Sequence, residues 1–257
     1  MDIQAIILDL DGTVLRSDKS ISPATLATLQ RCRQRGIVIA VATARSETAA
    51  CRYLQQLHPD AVISNGGALV RLGSKTVFAA CLSAETVDAI IAEITALPEY
   101  LEMTVQTPLG YYVSRPPEDP DRSQAIPHDF STPLGQAAYK LTARASCAEG
   151  LAAIAAKYPQ CCLIPFSDGC WYRFAHKKAT KPNAIRRLAA CLNLDMAKFA
   201  AFGDDYNDED MLRHCGIGIA MGNAASQVKA AADYVCDTND RDGIAKWLTE
   251  FLLEENK

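Results

Sequence analysis

Apolar residues run almost unbroken from Ile3 to Leu8 and stop at Asp9, a pattern that predicts a strand buried on both faces with its exit at the acids. Ser22-Pro23 then offers an N-cap and a first-turn proline, Leu26, Leu29 and Cys32 recur at helical spacing, and Gly36 closes a helix. Residues 37–42 read as a second buried strand, 46–57 as a helix and 61–64 as a third strand. This alternation predicts βαβ units with helices on both faces of a parallel sheet. After about residue 82 the rhythm breaks. A helix over 85–97 leads into a stretch holding Pro108, Pro116, Pro117, Pro120, Pro127 and Pro133. Strand candidates at 111–114, 139–143, 161–164 and 171–175 surround a helix at 148–158. From Lys181 the alternation returns, with helices at 183–192, 208–215 and 224–231 between strands at 199–202, 218–221 and 234–236, and a last helix at 242–253. The expected fold is α/β: a doubly wound parallel core over 1–81 and 181–257, interrupted by an α+β insert over 82–180.

Composition narrows the class. A 257-residue chain that is 49% hydrophobic and 22% charged can bury a core and is long enough to divide in two. The 26 basic and 30 acidic residues give a net charge of -4 without a basic run, which argues against a nucleic-acid or membrane surface and for a small-molecule partner. The first nine residues hold no basic leader and too short an apolar run for a signal core, and no stretch approaches the roughly 18 apolar residues of a membrane helix. A cytoplasmic location is the expectation. Ten cysteines are scattered with no C-x-x-C pair, and the expectation is reduced, buried thiols, as at Cys32, Cys51, Cys191 and Cys236.

Carboxylates gather where such a sheet does chemistry. Asp9-Leu10-Asp11-Gly12-Thr13 follows the first strand, and open α/β sheets place ligands at the carboxyl ends of strands. Alone, this pattern is equally a strand ending in an Asp-Gly turn. A second apolar strand, however, ends in Gly203-Asp204-Asp205-Tyr206-Asn207-Asp208. Two such strand ends can meet at one Mg²⁺, a cation that takes oxygen ligands, whereas without a cation the clusters would repel. Asp208 could also serve simply as a helix N-terminal charge. Thr43 after the second strand and Lys181 before a late helix offer a hydroxyl and an ammonium to phosphate oxygens, although each is individually an ordinary residue in its place.

Taken in order, D-x-D-G-T, the strand-end threonine, the lysine and G-D-x-x-N-D resemble the haloacid dehalogenase-like phosphatase superfamily. Ser64-Asn65-Gly66-Gly67, Met211-Leu212, 220–224, Asn239 and Asp242-Gly243 resemble its Cof-type branch, whose members carry a large α/β cap inserted after the third core strand. The resemblance covers both core segments; the insert matches in position and size. It implies a Rossmann-like core with a cap domain, and a Mg²⁺-dependent hydrolysis of a small phosphorylated metabolite such as a sugar phosphate, nucleotide, flavin or pyridoxal phosphate. Asp9 would be the nucleophile and Asp11 the general acid and then base. Leu10, Thr43, Ala44, Arg45, Lys181 and Asn207 would face phosphate or substrate. The metal would be held by Asp9, by the backbone carbonyl of Asp11, by Asp204 and, at its outer shell, by Asp208. Ala44 and Pro182 stand where glycine is usual, and neither change removes a reacting group. A phosphomutase on the same core would use the same residues; a binding module without catalysis would not require both Asp9 and Asp11. The insert is expected to be a mobile cap that sets substrate selectivity.

Overall fold

The computed structural model describes residues 2–116, 124–146, 148–166 and 169–253, so Pro117 and Pro120 lie outside the described residues. The chain divides into two compact units, Met1–Phe78 with Lys181–Lys257, and Ala79–Thr180.

The first unit is built on β1 (Ala5–Leu8), β2 (Val38–Ala42), β3 (Ala61–Ser64), β4 (Leu69–Leu72), β5 (Lys75–Ala79), and, after the second unit, β12 (Phe199–Gly203), β13 (Ile217–Ala220) and β14 (Tyr234–Val235). Their order is β14-β13-β12-β1-β2-β3-β4-β5. From β14 to β3 all pairings are parallel, and β4 turns back antiparallel to β3. The β4–β5 segment is missing from the sequence expectation. Its residues carry Arg71 and Lys75 and are partly exposed, so no apolar run marks it.

Helices cover both faces because the central strands are apolar at every position. Ile6 and Leu8 of β1 face a core shared with α1 (Pro23–Gln34), α2 (Glu47–Leu57) and α8 (Gly243–Leu248). Ala5 and Ile7 face the opposite core, with α5 (Lys181–Leu192), α6 (Glu209–His214) and α7 (Ser226–Ala231). Helix α1 starts as expected: the Ser22 hydroxyl accepts from Thr25 N–H at 3.0 Å and Pro23 takes the first turn. Helix α5 begins two residues earlier than expected, placing Lys181 in its first turn. Two cysteines expected inside, Cys51 on α2 and Cys191 on α5, are exposed, because the buried faces of those helices are set by Tyr53 and Leu57 and by Ile185 and Leu188. Cys32, Cys161 and Cys215 are buried free thiols.

The second unit has a six-stranded sheet of order β10-β11-β9-β6-β7-β8, formed by β6 (Tyr100–Gln106), β7 (Tyr111–Val113), β8 (Ile126–Pro127), β9 (Lys140–Ala145), β10 (Cys161–Pro165) and β11 (Trp171–His176). It is antiparallel except for the β7–β8 pair. Helices α3 (Ala84–Thr95) and α4 (Ala148–Ala156) share a separate apolar core with one face of this sheet, where Ile90, Ile94 and Leu151 meet Met103, Leu141 and Phe174. Strands β6 and β8 were not expected. β6 mixes Glu102 and Thr104 with apolar residues, and β8 is only two residues long. Among the described residues no helix is long and apolar enough to cross a membrane.

Candidate active site

The sheet of the first unit changes direction at β1. The chain proceeds from β1 to β2 and β3 on one side and continues through β12, β13 and β14 on the other. Such a switch point opens a crevice beyond the carboxyl ends of the two central strands. Asp9 leaves β1 there, its N–H bonded to the carbonyl of Phe202 at 3.1 Å, and Asp204 leaves the neighbouring β12.

Tight backbone is what lets the two strand ends approach. Gly12 has φ +78, and a Cβ at that position would lie 2.1 Å from Asp204 Oδ2. Gly203 is constrained by space alone, because a Cβ there would come within 2.5 Å of the Asp208 Cβ. Thr13 then fixes Asp204 by donating its hydroxyl to Oδ1 at 2.8 Å. Asp208 is aimed by its own turn. It is the third residue of a capping box whose Asp205 N–H it accepts at 3.2 Å, and Asp204 N–H donates to the same Oδ2 at 3.1 Å.

Lys181 closes the cluster from the start of α5. Its buried ammonium donates to Asp9 Oδ1 at 2.6 Å and to Asp208 Oδ1 at 2.5 Å. Burial alone would lower its pKa, but the flanking Asp208 and Asp9 carboxylates outweigh this and raise it, so the ammonium stays charged. Burial lifts Asp9 well above the usual carboxylate range; Lys181 opposes this and Asp208 reinforces it. Asp204 is pushed up to about 6 by burial, against its bond from Thr13 and with help from Asp208 and Asp205.

Carboxylate oxygens of Asp9, Asp204 and Asp208 all lie within 4.8 Å of one another. Three carboxylates against a single ammonium form an all-oxygen donor set with excess negative charge, which fits a hard divalent cation of the Mg²⁺ type. Gly12 lets the Asp204 carboxylate take its place in this set, since a Cβ at that position would overlap it. The Asp11 side chain is not in this group. It points to two cations: Arg45 grips it in a fork, Nε to Oδ2 and Nη2 to Oδ1 at 2.7 Å each, and Lys19 Nζ reaches Oδ1 at 3.0 Å. Burial would raise the Asp11 pKa, but these contacts, Arg45 foremost, hold it below the usual carboxylate value.

The remaining expected residues surround the cluster at different depths. Thr43 is buried at the exit of β2. Its Oγ1 accepts from Arg45 N–H at 3.0 Å, which leaves the hydroxyl proton to donate, with no partner for it among the described residues. The Ser64–Gly67 turn buttresses this loop, with Asn65 N–H on the Arg45 carbonyl at 2.8 Å and Gly66 N–H on the Thr43 carbonyl at 3.0 Å. Ala44 is half-buried beside Thr43. The Leu10 side chain is in the core, and its carbonyl accepts from Thr13 and Leu15 N–H. Asn207 is half-buried, with its amide donating to Asp205 Oδ2 at 3.4 Å. Arg45, expected at phosphate, is on Asp11 in this structure.

Several residues without an assigned role in the sequence reading hold the Asp11 loop. Asn223 donates to the Gly12 carbonyl at 2.8 Å, Asn239 to the Leu15 carbonyl at 2.8 Å, and Asp242 accepts from Arg16 at 2.7 Å. In the sequence Asn223, Asn239 and Asp242 stand out only as motif members, and a lone lysine in a polar turn, Lys19, gives no signal at all.

Comparison with known proteins agrees in one direction. The family model described as haloacid dehalogenase-like hydrolase matches residues 6–248. The chain is 28% identical to the pyridoxal phosphate phosphatase YbhA of Escherichia coli (strain K12), over 98% of this chain and 100% of that one. It is 26% identical to the 5-amino-6-(5-phospho-D-ribitylamino)uracil phosphatase YitU of Bacillus subtilis (strain 168), over 96% and 97%. Among solved structures, that of the HAD subclass IIB sugar phosphatase BT4131 superposes with a TM-score of 0.81 at 25% identity, covering 96% of this chain and 98% of that one.

Proposed function

Because this chain belongs to the haloacid dehalogenase-like hydrolases and is a phosphatase, we propose that it hydrolyses the monoester of a small phosphorylated metabolite in two steps, through a phosphorylated Asp9 and with Mg²⁺ as its cation. The observation that carries this reading is the convergence of Asp9, Asp204, Asp208 and Lys181 at the switch point of the sheet. Relatives named as phosphatases of pyridoxal phosphate and of 5-amino-6-(5-phospho-D-ribitylamino)uracil support a substrate of that size.

Uncatalysed monoester hydrolysis is so slow that the site must lower the barrier by roughly 20 kcal/mol or more, chiefly by electrostatics. A phosphate dianion repels an approaching carboxylate. Asp9, Asp204 and the Asp11 backbone carbonyl would hold Mg²⁺, with Asp208 in its outer shell, and the cation would supply positive charge against that repulsion. Lys181 adds a second positive charge, Thr43 donates its free hydroxyl proton to a phosphoryl oxygen, and the backbone at Leu10 and Ala44, with Asn207, completes the phosphate seat. Asp9 attacks phosphorus as the ester oxygen departs, and Asp11 gives that oxygen a proton in the minor fraction of molecules in which it carries one, since Arg45 and Lys19 favour its ionised form. Water then attacks the same phosphorus, Asp11 takes the water's proton, the bond to Asp9 breaks, and phosphate leaves.

The test separates the two carboxylates. p-Nitrophenolate leaves with little help, so Asp11→Asn is expected to release about one equivalent of nitrophenol per site in a burst and then stall, because asparagine cannot activate water. Asp9→Asn is expected to show neither burst nor turnover. Steady turnover by Asp9→Asn, measured by rapid quench, overturns the proposal.

A further inference from the structure

The two oxygens of Asp11 are not equivalent. Oδ1 accepts from Arg45 Nη2 at 2.7 Å and from Lys19 Nζ at 3.0 Å, while among the described residues Oδ2 accepts only from Arg45 Nε at 2.7 Å. A carboxylate oxygen offers two lone-pair sites, so Oδ1 is filled and Oδ2 keeps one open. A guanidinium fork treats both oxygens alike. The ammonium is what distinguishes them.

We propose that Lys19 is a positioning residue which, by occupying Oδ1 of Asp11, reserves Oδ2 as the atom that gives and takes the proton. The inference rests on the acid–base reading of Asp11 and goes beyond it by naming the oxygen and the residue that selects it. Lys19 is delivered by a short hairpin. Leu15 bridges Ile21 antiparallel, Arg16 N–H donates to Ser20 O at 3.0 Å and Lys19 N–H to Arg16 O at 2.9 Å, with Lys19 itself in the left-handed region at φ 65. The hairpin is anchored from outside, Ser17 N–H and hydroxyl donating to the Asp240 carboxylate at 2.8 and 2.7 Å. The chain thus accepts an unfavourable backbone conformation at a lysine whose ammonium returns to Asp11. In the second half-reaction the water oxygen bonds to phosphorus, its proton passes to Oδ2, and the Asp9–phosphorus bond breaks to regenerate the Asp9 carboxylate. With Lys19 gone, Arg45 alone among the described residues restrains the Asp11 side chain, which can swing about its Cα–Cβ bond, and the fraction of time an oxygen is aligned with the water falls.

The Lys19 and Asp11 side chains are 51% and 41% exposed, so their pairing contributes little to stability, and a Lys19→Met variant is expected to melt like the wild type. The experiment follows decay of the phosphorylated protein after a p-nitrophenyl phosphate burst. Lys19→Met is expected to slow that decay about tenfold with KM changed by less than about twofold, and Lys19→Arg to restore most of the rate. In the Asp11→Asn background, where decay is slow enough to follow for hours, adding Lys19→Met is expected to change nothing, because Lys19 acts through Asp11. Decay of Lys19→Met at the wild-type rate, or the same loss in both backgrounds, overturns the proposal. If Asp11→Asn alone decays at the wild-type rate, the base assignment falls and the proposal falls with it.

Discussion

Gly12 shows how much of the site depends on one missing methyl group. Its φ of +78 and the 2.1 Å that would separate a Cβ from Asp204 Oδ2 make Gly12→Ala a double fault, backbone strain of about 1–3 kcal/mol and a displaced carboxylate. Calorimetric titration is expected to show Mg²⁺ affinity reduced at least about tenfold, alongside a lower melting temperature. Asp204 itself supplies a pH dependence. Burial places its pKa at about 6 in the metal-free protein, so below that pH the carboxyl is protonated and a cation must displace the proton. The melting-temperature gain on adding Mg²⁺ is therefore expected to be larger at pH 7.5 than at pH 5; equal gains would contradict the placement of the cation at Asp204. At this scale the acids were legible because each follows an apolar strand and a carboxylate at a strand end has few structural uses. Lys19 was not, since its partner is reached only through a hairpin. Nor was the Arg45 contact with Asp11, 34 residues away in the chain, visible in a motif that places Arg45 beside Thr43.

Among the elements, β12 holds Asp204 in place from within the core. Phe202 is fully buried and meets Trp247 of α8 edge-on at 5.5 Å. Phe202→Ala should cost about 3–5 kcal/mol in urea unfolding, a cavity cost, whereas exposed Asn223 offers the opposite case. Asn223→Ala removes the bond to the Gly12 carbonyl and the acceptor for Asn239 N–H, and is expected to lower kcat/KM about tenfold while the melting temperature moves only slightly. Equal losses of stability in the two variants would deny Asn223 a positioning role. The parallel strands were readable because burial on both faces leaves a continuous apolar signature. β4, β5 and β6 were missed because each mixes charged residues with apolar ones, and only pairing with a neighbour makes such segments strands.

For the whole molecule, the two units have separate apolar cores, and the second includes its own bridge between Leu82 and Ala138. Residues 79–180 expressed alone are expected to fold with a cooperative thermal transition by circular dichroism; a non-cooperative melt would mean that this core needs the rest of the chain. The first unit is in a different position, because its central pairing joins Leu8 to Phe202 across the whole inserted segment. As the chain leaves the ribosome, β1, β2 and β3 are available early, but the strand that flanks β1 on its other side comes only after most of the sequence has been made. Asp9 and its counterpart Lys181 are 172 residues apart, and Thr13 and Asp204 are 191 apart. A nascent chain therefore carries the acids of the first strand without the partners that complete the cluster until synthesis has passed Asp208.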